Sequence, residues 1–427
     1  MKVLVQVLLL GAATLGFAAT GVAIDVSRAI VYDIPPDEYD AKFERRPSSA
    51  LSPDDSAAIA SYRFTGDTMK VLAVLVDWVD RPHTYSKETF DSLMFSRDVF
   101  TGGSVADYYH EVSYGKVTVT GAVTEWYNAG YYDPNFDFGS LLYQLDLMVD
   151  YSQFDGDNDG SVDAVVFIRS GAGQEFSRDP YDIWSYAIRY APGTGYGPFD
   201  GVMVDTWNTS PELYPLRDEN NVSQFSGVDT LNSIRVFCHE LAHNMGLPDL
   251  YDYDQKLDQT SYIIQDYNDH PLVDWCLMGY GGYGLLALGS YNPSHLCGWS
   301  RKALGWITPT VITGTAEDVV FTNIETTDQN SLYLLPINPI DGEYFLLEYR
   351  NPRSVARFDH FDSDFSSFFL EMMTYGPDTL DRGLLITHID DYAGTFVGNN
   401  GTPYAPHYMV AVEDAGYNPS HDINDNP

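Results

Sequence analysis

The stretch Cys238-His239-Glu240-Leu241-Ala242-His243-Asn244-Met245-Gly246-Leu247-Pro248-Asp249 constrains this chain more than any other part of it. It holds a His-Glu-x-x-His pattern, then a glycine and an aspartate. The pattern predicts a helix over residues 231–244, which sets His239 and His243 on one face, where both imidazoles can point at one ion. Glu240 then stands beside the ion rather than on it, where a carboxylate can take a proton from water and pass it to a leaving group. Gly246 lets the backbone leave the helix through a left-handed residue. Pro248 discourages continuation of the helix, so Asp249 can return towards the histidines. Three protein ligands with a fourth position open are the donor set of a catalytic zinc. A bare His-Glu-x-x-His also arises by chance on solvated helices. The glycine and the trailing carboxylate set this stretch apart from that alternative.

A chain of 427 residues can bury a large core and is expected to hold more than one structural unit. Its 61 Asp and Glu against 23 Lys and Arg give a formal charge of -38. Such a surface disfavours nucleic acid and anionic membranes and suits a salty or divalent-rich medium. Residues 1–23 read as a secretory signal peptide. Lys2 supplies a positive start, residues 3–10 are apolar apart from Gln6, and small residues between Gly11 and Ala23 can hold the cleavage point. An N-terminal strand or a membrane anchor is the alternative, but the apolar run is short for a permanent span. The mature protein is therefore expected to be secreted, without stable membrane insertion, and monomeric.

Three cysteines, Cys238, Cys276 and Cys297, do not make a disulfide scaffold. One bridge is open to them, with Cys276 and Cys297 the favoured pair, although spacing alone does not establish it. No cysteine precedes Cys238, so residues 24–66 offer no thiol to block the metal site. Asn208, Asn221 and Asn400 begin glycosylation sequons, which matter only in a host that glycosylates exported chains.

Residues 24–66 carry Pro35-Pro36, Pro47 and Pro53 with little periodicity, and read as a short pro-segment or linker. A regular domain follows over 67–306. Residues 71–76 form an apolar, valine-rich run expected as a buried strand, and residues 164–168 a second. Helices are expected over 86–95, 104–112 and 141–151, with strands over 116–120 and 123–126. A long, mostly polar stretch from 191 to 230 precedes the metal helix. Strand-like runs return at 310–313, 332–335, 344–347 and 384–389. The fold class is therefore α/β: a mixed-sheet domain with the metal helix, then a mostly β region over 307–427 whose tail is polar.

Two further constellations bear on chemistry. Asp155, Asp157 and Asp159 alternate around Gly160, and Asp163 closes the pattern, as hard oxygen ligands for Ca²⁺ do. Position twelve of that loop is Val166 rather than glutamate, so it is not a standard paired hand, and an acidic surface turn has the same composition. Leu277-Met278-Gly279-Tyr280-Gly281-Gly282 offers a methionine as an apolar floor under the histidines and the Tyr280 hydroxyl for a tetrahedral intermediate. Methionine is also a general core filler. No serine nucleophile elbow or phosphate loop is present. A Cys238–His239 nucleophile pair is disfavoured, because helix neighbours point about 100° apart.

With these residues in view, the chain resembles the immune inhibitor A family of secreted bacterial metalloproteases, which includes an exported Vibrio protease. The resemblance covers about residues 69–306 and runs more loosely to about 415. It is carried by the segment from Ser104 to Lys116, the Asp155–Asp163 loop with Ala164 to Ile168, Gly171 to Glu175, and His239 to Tyr251. Trp275 to Gly279, Trp299 to Trp306, Glu343 to Arg350 and Gly383 to Asp390 add to it. What the resemblance implies is a zinc endopeptidase fold, calcium support, secretion and activation by loss of a pro-segment. Onto this chain it carries His239 and His243 as ligands, Glu240 as general base, Asp249 as third ligand and Met278 as the methionine turn. Asp252 and Asp254 compete for that third place. The segment before Met69 is shorter than the pro-regions relatives often have. The function expected is metal-assisted hydrolysis of protein or peptide substrates. A non-catalytic secreted binding or adhesion protein, or a zinc hydrolase of other substrates, is the alternative.

Overall fold

The computed structural model describes residues 29–32, 62–100, 102–177, 179–214, 230–251, 272, 275–279, 281, 293–338, 342–351, 358, 383–391 and 409–412. Residues 1–23, Asp252, Asp254, Tyr280, Asn221 and Asn400 lie outside these. Among the described residues, no helix is long and apolar enough to cross a membrane.

The molecule is built on a mixed sheet. Its strands are β1 (Ala29–Tyr32), β2 (Thr68–Asp77), β3 (Thr118–Val123), β4 (Tyr127–Asn128), β5 (Ala164–Ala172), β6 (Tyr186–Tyr190), β9 (Thr206–Tyr214) and β10 (Thr230–Leu231). A separate ribbon pairs β7 (Tyr196–Phe199) with β8 (Val202–Val204). The spatial order is β1-β6-β9-β5-β2-β3, with β10 on β9 and β4 on β2. β2, β3, β5 and β9 run parallel, whereas β6 returns antiparallel along β9 and β1 antiparallel along β6.

A parallel sheet must be covered on both faces, and β2 is apolar on both. Val71, Ala73 and Leu75 face a core shared with helices α1 (Lys87–Phe95), α2 (Val105–Val112) and α5 (Ile234–Asn244). Leu72, Val74 and Val76 face a second core beneath α3 (Phe138–Leu145). That explains the continuous apolar run: no position from Val71 to Val76 reaches water. Ser104 starts α2 with a capping box, its Oγ accepting from Asp107 N–H while the Asp107 carboxylate accepts from Ser104 N–H. From α2 the Tyr109 hydroxyl donates to the Cys238 carbonyl at 2.6 Å, and the Tyr108 hydroxyl to the Ser294 carbonyl at 2.7 Å. The helix that carries His239 and His243 is thus braced from behind.

The expected polar stretch from 191 to 230 contains a strand instead. β9 is buried along its whole length, between β5 and β6. Two of its polar side chains are held by neighbouring elements: the Asn208 amide donates to Asn244 Oδ1 at 2.6 Å, and Thr209 Oγ1 accepts from Arg169. The Asn208 sequon is therefore closed to a glycan in the folded chain. Residues 24–66, expected as a pro-segment or linker, supply the edge strand β1, and Phe64 N–H donates to the Met245 carbonyl at 3.0 Å. The helix expected over 141–151 begins earlier, at Phe138, and is followed by a 3-10 turn over Tyr151–Phe154.

Two short helices, α4 (Gln174–Ser177) and α6 (Gly298–Ala303), complete the α-helices among the described residues. Beyond α6 lies a second sheet ordered β11 (Thr310–Val311), β12 (Leu332–Asn338), β13 (Glu343–Arg350), β14 (Gly383–Asp390) and β15 (Val410–Val412). It joins the first unit through buried polar contacts. The Glu348 carboxylate of β13 accepts from Gly298 N–H at 2.5 Å, and Arg301 donates to the Ile324 carbonyl at 2.7 Å.

Candidate metal centre

Helix α5 carries the centre. Ser233 caps it, its Oγ accepting from Arg235 N–H. At its other end Gly246 N–H donates to the His243 carbonyl at 2.9 Å, and Leu247 N–H to the Ala242 carbonyl at 3.1 Å. These two bonds form a Schellman motif, which needs a left-handed residue, and Gly246 has φ +98. The chain leaves the helix there and brings Asp249 back beneath the histidines. Arg189 on β6 donates to the His243 and Asn244 carbonyls, placing a cation on the negative end of the helix.

His239 and His243 are both turned inward by their outer nitrogens. His239 Nδ1 lies 2.8 Å from the Leu277 carbonyl, and His243 Nδ1 lies 2.8 Å from the Leu247 carbonyl. A carbonyl only accepts, so each Nδ1 carries the proton and each Nε2 presents a lone pair to the interior. The two Nε2 atoms are 3.2 Å apart, and Asp249 Oδ1 is 3.2 Å from one and 3.3 Å from the other. Ligands about 2.0–2.1 Å from a tetrahedral zinc stand about 3.3–3.4 Å from each other. The triangle has the size of one face of that tetrahedron. All three residues are buried. Three acceptor atoms facing one another out of water need a cation between them, so the donor set fits a divalent metal.

The turn at Cys276–Gly279 supports the centre from behind, closed by Gly279 N–H on the Cys276 carbonyl at 2.9 Å. Its Leu277 carbonyl orients His239, and its Met278 carbonyl accepts from Leu250 N–H at 2.7 Å, fixing the residue after Asp249. Met278 is buried in the core with Leu241 and Met245. Tyr251 stacks on His239, with ring centroids 6.3 Å apart. The sequence offered no sign of that contact, nor of the two orienting carbonyls. Glu240 is fully buried beside His239, and its charge reaches the buried Arg169 of β5.

At the acidic loop, Asp155, Asp157 and Asp159 each bring a carboxylate oxygen within 4.8 Å of the others. Asp155 also folds the loop, accepting from Asp159 N–H and Gly160 N–H, both at 3.1 Å. Asp163 does not join them. Its two oxygens accept from Gly156 N–H at 2.9 Å and Lys70 N–H at 2.7 Å, tying the loop to β2. Burial, and after it the charges of Asp157 and Asp155, push the Asp163 carboxyl up to about 6.

No family model matches the chain. It is 26% identical over 280 residues to "Immune inhibitor A" of Bacillus thuringiensis subsp. alesti, covering 51% of this chain and 37% of that protein. It is 24% identical over 298 residues to "Pre-pro-metalloprotease PrtV" of Vibrio cholerae serotype O1, covering 56% of this chain and 30% of that one. The matched part thus spans about a third of the length of these curated relatives. The chain is a distant homologue of the immune inhibitor A and PrtV group, and its His239-His243-Asp249 cluster is a candidate zinc site.

Proposed function

We propose that this chain is a secreted zinc-dependent endopeptidase in which His239, His243 and Asp249 hold the metal and Glu240 is the general base. The observation that carries the proposal is the triangle of two Nε2 atoms and one Oδ1, buried and about one tetrahedral edge on each side. Zinc at that position supplies a Lewis acid for a scissile carbonyl and acidifies water. The protein does the rest. Leu277 and Leu247 fix the histidine tautomers, so neither ring has to reorient during turnover. Glu240, next to His239 on the rigid helix, accepts the proton of the attacking water and returns it to the departing amine. Tyr280 is assigned to the oxyanion of the tetrahedral intermediate from its place after the Cys276–Gly279 turn. Asp155, Asp157 and Asp159 are assigned to a structural calcium, with Asp163 fastening the loop.

Glu240→Gln tests the base. The variant keeps the shape of the side chain and the three ligands, so elemental analysis should return the wild-type zinc content. Digestion of casein should fall by about 10²-fold or more. Full activity in a zinc-loaded Glu240→Gln preparation refutes the assignment. Casein left uncut by zinc-loaded wild-type protein refutes the peptidase reading itself.

A further inference from the structure

Cys276 and Cys297 come from different passes of the chain and are both fully buried. The passes lie side by side, with Leu277 N–H donating to the His295 carbonyl at 3.2 Å and Cys297 N–H directed at Cys276 Sγ at 3.3 Å. Both sulfurs meet one hydroxyl: Ser300 Oγ is 3.6 Å from Cys276 Sγ and 3.4 Å from Cys297 Sγ. All three cysteines are free thiols here, and the hydrolytic chemistry proposed above uses none of them.

The surroundings make the two thiols unequal. Burial opposes ionisation of Cys276, but hydrogen bonds from the Cys297 thiol, the Cys297 and Met278 N–H groups and Ser300 outweigh it and hold the thiol below its usual range. Cys297 is pushed up, by burial first and then by Cys276. One thiol is suited to attack and the other to resolve. Cys238 shares neither contact; it sits on α5, and burial alone pushes it up.

We propose that Cys276 and Cys297 are an oxidation site, joined by exchange with a small-molecule disulfide into a bridge between the Cys276–Gly279 turn and the start of α6. The Cys276 thiolate attacks one sulfur of the oxidant and expels one small thiol, leaving a mixed disulfide. Cys297 gives up its proton and attacks the Cys276 sulfur, expelling the second small thiol. Two protein thiols are oxidised, and one external disulfide is reduced to two thiols. Both sulfurs are buried, so exchange runs while the chain is folding or locally open, and the finished bridge is shielded from reductants. The residue beside the bridge is Leu277, whose carbonyl orients His239. The bridge therefore fastens the backing of the metal centre, but its formation does not depend on the metal reading.

The test refolds the full chain from denaturant in a mixture of oxidised and reduced glutathione. Acid quench, alkylation and non-reducing peptide mapping follow. One alkylated cysteine, Cys238, is expected, together with a linked Cys276–Cys297 peptide pair that separates on reduction. Cys297→Ser should stop at a glutathione adduct on Cys276. Three alkylated cysteines in the refolded wild type, or a bridge to Cys238, overturn the proposal. The metal-free oxidised wild type should melt several degrees above its reduced form. Equal midpoints overturn the fastening role.

Discussion

Gly246→Ala puts the exit from the metal helix under a test whose size follows from two separable penalties. A Cβ built on Gly246 lies 2.2 Å from the Tyr62 carbonyl oxygen, where ordinary contact begins near 3.4 Å. The oxygen is backbone, so the chain must move by roughly 1 Å. That movement loosens the Phe64 N–H bond to the Met245 carbonyl, worth about 1–3 kcal/mol where its groups are left buried and unpaired. The second penalty is conformational: φ +98 costs an L-residue about 1–2 kcal/mol. Together they amount to about 2–5 kcal/mol, a large share of the stability of an ordinary domain. Asn tolerates left-handed backbone better than Ala, yet its Cβ meets the same carbonyl. Gly246→Asn should therefore recover the conformational part and keep the steric part. The same exit places the Leu247 carbonyl against His243 Nδ1, so zinc affinity should fall about 10–100-fold in both variants. Denaturant unfolding of the metal-free proteins and competitive zinc titration measure the two effects. A Gly246→Ala protein within about 0.5 kcal/mol of wild type, binding zinc equally well, refutes the account of this turn.

His243→Ala should lose metal and peptidase activity together while circular dichroism retains its helical and sheet signals; zinc retained at wild-type affinity removes His243 from the ligand set. Arg189→Met removes the donors to the His243 and Asn244 carbonyls and should cost about 1–3 kcal/mol in denaturant unfolding, whereas an unchanged midpoint would mean that water satisfies the helix end equally well. Glu212 is buried in β9, with Oε1 accepting from Thr84 and Tyr85 N–H, and burial raises its carboxyl above the ordinary glutamate value of 4.5. Its folded form favours the proton, so the stability it contributes is fully present below 4.5 and is lost as pH rises through the folded value. Glu212→Gln keeps an acceptor for both N–H groups and should flatten that decline; unfolding midpoints measured against pH in wild type and variant should converge at acid pH and separate above it, and parallel curves sink the claim.

Which parts of the fold can be read from residue order depends on whether burial is signalled by side-chain polarity. β2 and β5 lie between two apolar cores, so both faces are written in valine, with leucine and alanine in β2 and isoleucine and phenylalanine in β5. β9 lies equally deep but is written as Thr206-Trp207-Asn208-Thr209-Ser210-Pro211-Glu212, and several of its polar groups are matched from elsewhere. Asn208 meets Asn244 from the metal helix, Thr209 meets Arg169 from β5, and Glu212 closes over the amides of Thr84 and Tyr85. Partners that distant in sequence leave no local period, so hydropathy marks the stretch only as mostly polar. The same reasoning divides the metal centre. His239, His243 and Asp249 were legible because their chemistry resides in side chains at short spacing. The Leu277 and Leu247 carbonyls, which decide where those imidazoles point, are main-chain atoms that any residue could supply, and only folding selects them. Asp163 makes the converse case. Its spacing places it among the loop carboxylates, yet it is fastened to the amides of Gly156 and Lys70, and its oxygens do not group with those of Asp155, Asp157 and Asp159. Spacing names the groups able to bind an ion, and the path of the backbone between them decides which are brought to one point.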